Sequence, residues 1–315
     1  MLSDRVNPSL STPGAVIYGL LVYLAFQQQP NAFSLVTVGF IFVVPFVLGV
    51  ITMYLRRGHC HSTWYKILTP WVSCVAFLVV LALFGWEAWI CLIIASPLLL
   101  ATSSIGGLLG CALSTSRKDS DSNVFMLLGV LALPFVVTPL EVQGTRPEMI
   151  RTVESSVILD GTPEIIWQNI IRVSDIQPDE HSFAFSHFLG LPKPIGATLE
   201  EEGLGAIRQG YFEDGLLFHE TITEWEPLHK VSFDIEADTS QASEAYLQMI
   251  GSDYVDIGGG TYLIEPIADG RIRLSFTSQH RLATNFNFYS GMWSDFLIRD
   301  FQNYILHIIK ARVEA

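Results

Sequence analysis

Acid is nearly missing from the first 140 residues of this 315-residue chain, and cysteine is missing after Cys111. Only Asp4, Glu87, Asp119 and Asp121 carry negative charge before Leu140, whereas 27 of the 31 Asp and Glu lie beyond it. Six of the 18 Lys and Arg fall in the front part, so it is about +2 and the remainder about −15. A front part so poor in charge belongs in hydrocarbon rather than water, which excludes a pair of soluble domains. The strongly acidic remainder excludes a nucleic-acid partner. Without cysteine, that remainder has no disulfide staple and no thiol chemistry, and it needs no reducing compartment. Nucleophile and metal signatures are missing as well. The chain contains no Gly-x-Ser-x-Gly elbow, no His-Glu-x-x-His run and no Cys-x-x-Cys pair, and no metal or cofactor is expected.

What the front part does contain is apolar length. Five stretches stand out: Leu10–Phe26, Phe33–Leu55, Ile67–Phe84, Ala88–Leu113 and Val124–Leu140. Each is near or above the ~17–25 residues that cross hydrocarbon as a helix. They predict a transmembrane bundle over residues 1–140, followed by a linker over 141–150 and a soluble domain over 151–315. The first and last stretches are short, and Pro134 and Pro139 interrupt the last, so a four-span reading competes. A secretory signal is the alternative for the first stretch; no small-residue cleavage site precedes Gln27-Gln28-Gln29-Pro30. Arg56, Arg57 and Lys66 lie between the second and third stretches, and Arg117 and Lys118 between the fourth and fifth. Basic loops stay in the cytoplasm. Five spans then place the soluble domain outside the cytoplasm, as in a bacterial inner-membrane protein; four spans place it on the other side.

Three features of the front part invite chemistry. His59-Cys60-His61 has metal-ligand residues without a partner cluster, and reads as a solvated loop. Glu87, between Trp86 and Trp89, reads as a headgroup-level acid in an aromatic belt rather than part of an ion path. Gly106 and Gly110, with Ser103, Gly107, Cys111 and Ser114, form a small-residue face. It allows close helix packing, within the bundle or between copies in a homo-oligomer.

The back part alternates. Arg151–Leu159 reads as a strand, ended by Asp160-Gly161-Thr162-Pro163. Pro163–Val173 reads as a helix with Thr162 as N-cap, and Glu180–Phe188 as a second short helix. Strands follow at Ala197–Glu202, Ala206–Phe212, Leu216–Trp225, Lys230–Ala237, Gly260–Pro266 and Ile272–Leu282, with Gly258-Gly259-Gly260 as a flexible lead into the fifth of them. No Gly or Pro occurs from Met292 to Ala315, and apolar residues there recur at helical spacing. One strand, two short helices, a six-strand meander and a long terminal helix make an α+β domain, with the helix laid across a curved antiparallel sheet.

Particular residues carry a resemblance. Thr152–Trp167, the segment Gly205-Ala206-Ile207-Arg208, and Phe218–Pro227 are similar to the opening and central meander of the START/polyketide-cyclase (SRPBCC) superfamily. Tyr289, Trp293 and the ending Ile309-Lys310-Ala311-Arg312-Val313-Glu314 resemble members whose domain follows several membrane spans. The resemblance covers residues 150–315 and implies the helix-grip fold. The superfamily includes lipid carriers, cyclases and dehydrases, hydrolases, oxygenase subunits and hormone receptors. No catalytic motif is common to them, so none is carried across.

Register adds the sharpest expectation. If Glu213-Asp214-Gly215 forms a three-residue loop with Gly215 left-handed, Phe212 faces Leu216 and Arg208 stands opposite Glu220. Phe218 and Ile222 share the face of Glu220, which points to the concave side. A headgroup anchor, a structural ion pair and a pair on the outer face are then the competing readings. The expected ligand-facing residues are Arg208, Phe218, Glu220, Phe233, Tyr262, Phe276 and His280 from the strands, with Tyr289, Trp293 and Phe296 from the terminal helix. Tyr304 joins those three in sealing the grip. The leading expectation is a membrane-tethered binding module for a membrane lipid or other hydrophobic small molecule. The alternatives are a cyclase-, dehydrase- or hydrolase-type enzyme using Glu220 or His280 as acid–base, and a receptor whose ligand alters the bundle.

Overall fold

The computed structural model describes residues 10–27, 37–56, 60, 62–115, 120–142, 144–267 and 270–315. It divides into two compact units, Met1–Arg146 and Pro147–Ala315.

The first unit is helical: α1 (Ser11–Gln27), α2 (Val44–Leu55, led in by a π-helical turn over Gly39–Val43), α3 (Thr63–Leu83), α4 (Trp89–Thr115) and α5 (Ser120–Val142). Three stretches are long and apolar enough to cross a membrane: Thr63–Leu83, Trp89–Thr115 and Ser122–Glu141. Ser11–Gln27 and Gly39–Leu55 are shorter apolar helices. Pro134 and Pro139 lie inside α5 without ending it. The core is built from Tyr23, Phe26, Phe40, Leu48, Phe77, Leu81 and Leu99.

The small-residue face of α4 is filled from within the chain. A Cβ on Gly106 would come within 1.9 Å of the Phe46 carbonyl oxygen, and one on Gly110 within 2.5 Å of that of Val50. Gly49 answers from α2, where a Cβ would meet the Ser103 carbonyl at 2.0 Å. The two helices touch backbone to backbone, so within the bundle α2 packs against this face. Glu87 accepts a 2.9 Å hydrogen bond from the Tyr23 hydroxyl, and the Tyr23 ring stacks on Trp86 at 5.7 Å. Cys60 is joined to Cys111 by a disulfide, a bond the sequence reading did not foresee. His59, His61, Arg57, Arg117 and Lys118, which carry the metal-tract and orientation readings, lie outside the described residues.

The second unit has the helix-grip architecture. Seven strands form one antiparallel sheet in the order β1-β7-β6-β5-β4-β3-β2. They are β1 (Met149–Leu159), β2 (Pro194–Leu199), β3 (Ile207–Phe212), β4 (Leu217–Glu226), β5 (Lys230–Asp238), β6 (Val255–Pro266) and β7 (Ile272–Leu282). Helix α6 (Pro163–Ile171) follows β1, and α8 (Asn287–Val313) ends the unit. Ile166, Ile170, Leu159, Ile264, Leu274, Leu306 and Ile309 share one core, which glues the terminal helix to the sheet. Thr162 takes the extended N-cap conformation, but its side chain makes no capping hydrogen bond.

Two local expectations need correction. The second short helix is not continuous: a 3-10 turn over Pro178–Glu180 is separated from a four-residue α7 (Phe185–Phe188). Arg312, at the end of α8, pairs with Glu180 through Nε and through a 2.8 Å bond from Nη2, so a tertiary contact outweighs local helix preference there. Gly258, Gly259 and Gly260 do not precede a strand; they lie inside β6. A Cβ on Gly259 would come within 2.7 Å of the Phe233 carbonyl, and one on Gly260 within 2.8 Å of the Phe233 ring. Gly259 thus lets the Phe233 backbone approach closely, and Gly260 leaves room for the Phe233 ring.

Candidate functional site

Asp214 and Gly215 both turn through positive φ, at 58° and 76°. The turn closes with a 3.0 Å hydrogen bond from Phe212 N–H to the Leu216 carbonyl. Counting back along the ladder, Arg208 pairs with Glu220 and Gly210 with Phe218. Both charged side chains point under α8, where Arg208 is 8 % exposed and Glu220 6 %. Arg208 donates from Nη1 to Glu220 Oε2 and from Nε to the Ile171 carbonyl at 3.3 Å.

The pair sits at the edge of a cavity of about 110 Å³ between the sheet and α8. Six aromatic rings line it: Phe212, Phe218, Phe233, Tyr262, Phe276 and Phe301. Tyr262 stacks on Phe276 with ring centres 4.2 Å apart, and Phe212 lies against Phe218 at 4.8 Å. The guanidinium carbon of Arg208 stands 5.9 Å over the Phe233 ring, within range of a cation–π contact. Helix α8 contributes Ile298, Phe301, Ile305 and Ile308. An engineered cavity of ~150 Å³ holds benzene, and drug-sized pockets run from ~300 Å³ upward. The cavity therefore fits one ring or a short chain and has no room for a two-tailed lipid.

The electrostatics follow from burial. Loss of water pushes the Glu220 carboxyl above the usual carboxylate range, and the Arg208 charge pulls against it. For Arg208, burial works against the cation most strongly, but the charge and hydrogen bond of Glu220 together with Tyr262 outweigh it and the pKa rises. Burial also raises the Tyr262 phenol.

Of the ten expected ligand-facing residues, the structure brings six together at the cavity: Arg208, Phe218, Glu220, Phe233, Tyr262 and Phe276. The other four lie elsewhere. His280 is buried toward the start of α8, its Nε2 2.8 Å from Ser294 Oγ and 3.7 Å from Asp295 Oδ1. Asp295 in turn is held by Arg151. Burial lowers the His280 pKa, helped by Arg151 and opposed by Asp295, so the ring is neutral at neutral pH. Tyr289, Trp293 and Phe296 lie on the first turns of α8, away from the cavity: Tyr289 is buried, Trp293 is half-buried and edge-on to Phe296 at 6.1 Å, and Phe296 is 45 % exposed. The cavity-facing stripe of α8 starts later, at Ile298, because the first turns of the helix lie over β1 and β7. Tyr304 is buried behind α7, bonded to His181 and stacked edge-on with His187 at 4.5 Å.

Sequence reasoning missed Phe212, Gly210, Phe301 and Ile305. Phe212 and Gly210 share the parity of Arg208, so the same register count reaches them. Phe301 and Ile305, four residues apart on α8, sat in an apolar pattern with two competing stripes. Buried Gln302 was also missed. Its amide donates to the Val153 carbonyl and Ser278 Oγ, both at 3.0 Å, and accepts from Ser155 Oγ at 2.9 Å.

No family model matches this chain, and no curated protein matches it. Solved structures give weak likenesses to the second unit. The KanY protein is 14 % identical, covering 55 % of this chain and all of its own at a TM-score of 0.32. A Chromobacterium violaceum protein is 13 % identical, covering 52 % of this chain and 99 % of its own at 0.32. An uncharacterised Rhizobium leguminosarum protein is 11 % identical, covering 51 % of this chain and 98 % of its own at 0.30. Identities and scores this low assign neither ligand nor activity, and the fold stands on the strand order and the terminal helix themselves.

Proposed function

We propose that the second unit is a binding module that holds a hydrophobic small molecule in the cavity under α8, tethered to a membrane by the apolar helices that precede it. The observation that carries this reading is the lining: mostly aromatic and aliphatic walls with one charged pair and few other polar side chains, the usual make-up of a small-molecule site. The volume favours a compact ligand over the membrane lipid that the sequence also allowed. The cyclase, dehydrase or hydrolase alternative needs convergent acid–base groups, and the position of His280 outside the cavity weighs against it. The basic residues of the predicted loops support a soluble unit outside the cytoplasm.

The test is native mass spectrometry of the full chain extracted in mild detergent. The wild type should carry or take up a small apolar mass. Ile305→Trp, which fills the cavity from α8, should lose that mass and keep its circular dichroism and melting temperature. Equal occupancy of the two proteins, or no uptake by either, would overturn the binding-module reading.

A further inference from the structure

We infer that the cavity selects an uncharged, single-ring molecule bearing a hydroxyl or carbonyl, and rejects an anion of the same shape. The inference rests on the binding-module reading and adds what the ligand must look like.

Charge comes first. Among the described residues, Arg208 and Glu220 supply the only charged side chains of the lining, one of each sign. The Arg208 cation is already met by Glu220, at a site where both are more than nine-tenths buried. A ligand carboxylate or phosphate would therefore bring a second anion beside Glu220 with one cation to share. One of the two acids would have to take up a proton or remain unbalanced away from water. A neutral ligand leaves the pair intact.

The unused hydrogen-bonding capacity then sets the polar group. Arg208 has five N–H donors, and within the protein it spends Nε on Ile171 and Nη1 on Glu220. Glu220 accepts through Oε2. Its Oε1 lies beside Gly210, where a Cβ would stand 3.2 Å away. Glycine at that position leaves room next to the free oxygen. Tyr262, stacked on Phe276 within the lining, makes no hydrogen bond through its hydroxyl among the described residues. The lining thus offers guanidinium donors, a carboxylate acceptor and a phenol that can serve as either. A hydroxyl can donate to Glu220 and accept from Arg208 or Tyr262; a carbonyl can accept from both donors. Most of the remaining wall is aromatic and branched aliphatic, with Asn169 and Ser278 as its other polar side chains, and the volume is that of about one ring.

Fluorine NMR on the full chain in lipid nanodiscs tests this, with 4-fluorophenol, 4-fluorobenzoate and fluorobenzene as probes. At neutral pH the phenol is uncharged, because its pKa lies near ~10, and the benzoate is ionised. The phenol should bind at least about tenfold more tightly than the benzoate, and more tightly than fluorobenzene. Glu220→Gln leaves the Arg208 cation unmatched, so the order of phenol and benzoate should reverse. Should that variant fail to fold, Arg208→Met with Glu220→Leu keeps the volume and removes both charges; it should bind fluorobenzene as well as it binds the phenol. Wild-type benzoate binding equal to or tighter than phenol binding would overturn the selection and leave the binding module standing. Absence of binding by all three probes would overturn both.

Discussion

Arg208 and Glu220 face each other across the β3–β4 ladder, each nearly buried, and the Arg208 Nη1 donates to Glu220 Oε2. A pair in this position is held by mutual compensation rather than by solvent, so its members are not separable. Glu220→Ala should destabilise the second unit by about 3–5 kcal/mol, because it strands the guanidinium in an apolar wall. Arg208→Met combined with Glu220→Leu should cost less than about 1 kcal/mol or stabilise the unit, because it removes both desolvation penalties at once. Urea unfolding followed by tryptophan fluorescence would measure both. A double variant as unstable as Glu220→Ala would mean that the pair itself, not its balance, holds β3 to β4.

That pair was legible in the sequence for a specific reason. Glu213-Asp214-Gly215 fixes the loop length, and a fixed loop fixes every cross-strand neighbour above it. The same logic makes Phe212, Gly210 and Phe218 legible. Helix α8 had no such anchor. Its residues are apolar over more than one stripe, and the stripe that faces the cavity depends on where the helix crosses the sheet, which is a tertiary fact. Tyr289, Trp293 and Phe296 lie on turns of α8 that precede the part lining the cavity. His280 has the right parity but lies too far along β7, beyond the end of the cavity. Alternation shows which face a residue takes and is silent on how far along the sheet the hollow extends.

Gln302 shows the cost of the missed stripe. Its amide satisfies the Val153 carbonyl, Ser278 Oγ and Ser155 Oγ, all from strands β1 and β7. Gln302→Leu preserves bulk but leaves these partners without their bonds inside the core. It should cost about 3–5 kcal/mol in chemical unfolding, toward the low end of roughly 1–3 kcal/mol for each of the three stranded groups. Phe296→Ala, on the same helix but 45 % exposed, should change stability much less, by about 0.5–1 kcal/mol. Equal effects at the two positions would mean that α8 is rotated about its axis relative to the structure.

Glu180 and Arg312 tie the 3-10 turn after α6 to the end of α8, with side chains 20 % and 15 % exposed. The Arg312 guanidinium holds the Glu180 carboxyl at about 2, down from 4.5, with help from the Gln177 N–H at 2.7 Å. A depressed carboxylate contributes its stability above the unfolded value and loses it as pH falls through the folded one. Glu180→Gln should therefore cost about 1–2 kcal/mol near neutral pH. The gap from wild type should hold down to about pH 4.5 and close as pH approaches 2. Parallel unfolding curves across that window are the measurement. A gap unchanged at the acid end would show that the stability lost with Glu180 does not depend on its charge.

The bundle supplies the last test, because two of its features point to opposite sides of a membrane. Arg56 and Lys66 flank the loop that holds Cys60, and basic loops remain in the cytoplasm. Cys60 is nevertheless bonded to Cys111, and disulfides persist in oxidising compartments. Only α5 separates the Cys111 end of α4 from the second unit, so one crossing by α5 puts that cysteine and the unit on opposite sides. With the proposed orientation, the unit is outside and the cysteine pair faces the cytoplasm, where thiols are kept reduced. Protease added to intact spheroplasts should then digest residues beyond Pro147. Acid-quenched cells treated with an alkylating maleimide should show both Cys60 and Cys111 modified, in a background where Cys74 and Cys91 are replaced by alanine. Protection of the unit together with an unreactive, oxidised pair would reverse the orientation: the disulfide would then mark the outer face, and the cavity would take its ligand from the cytoplasm.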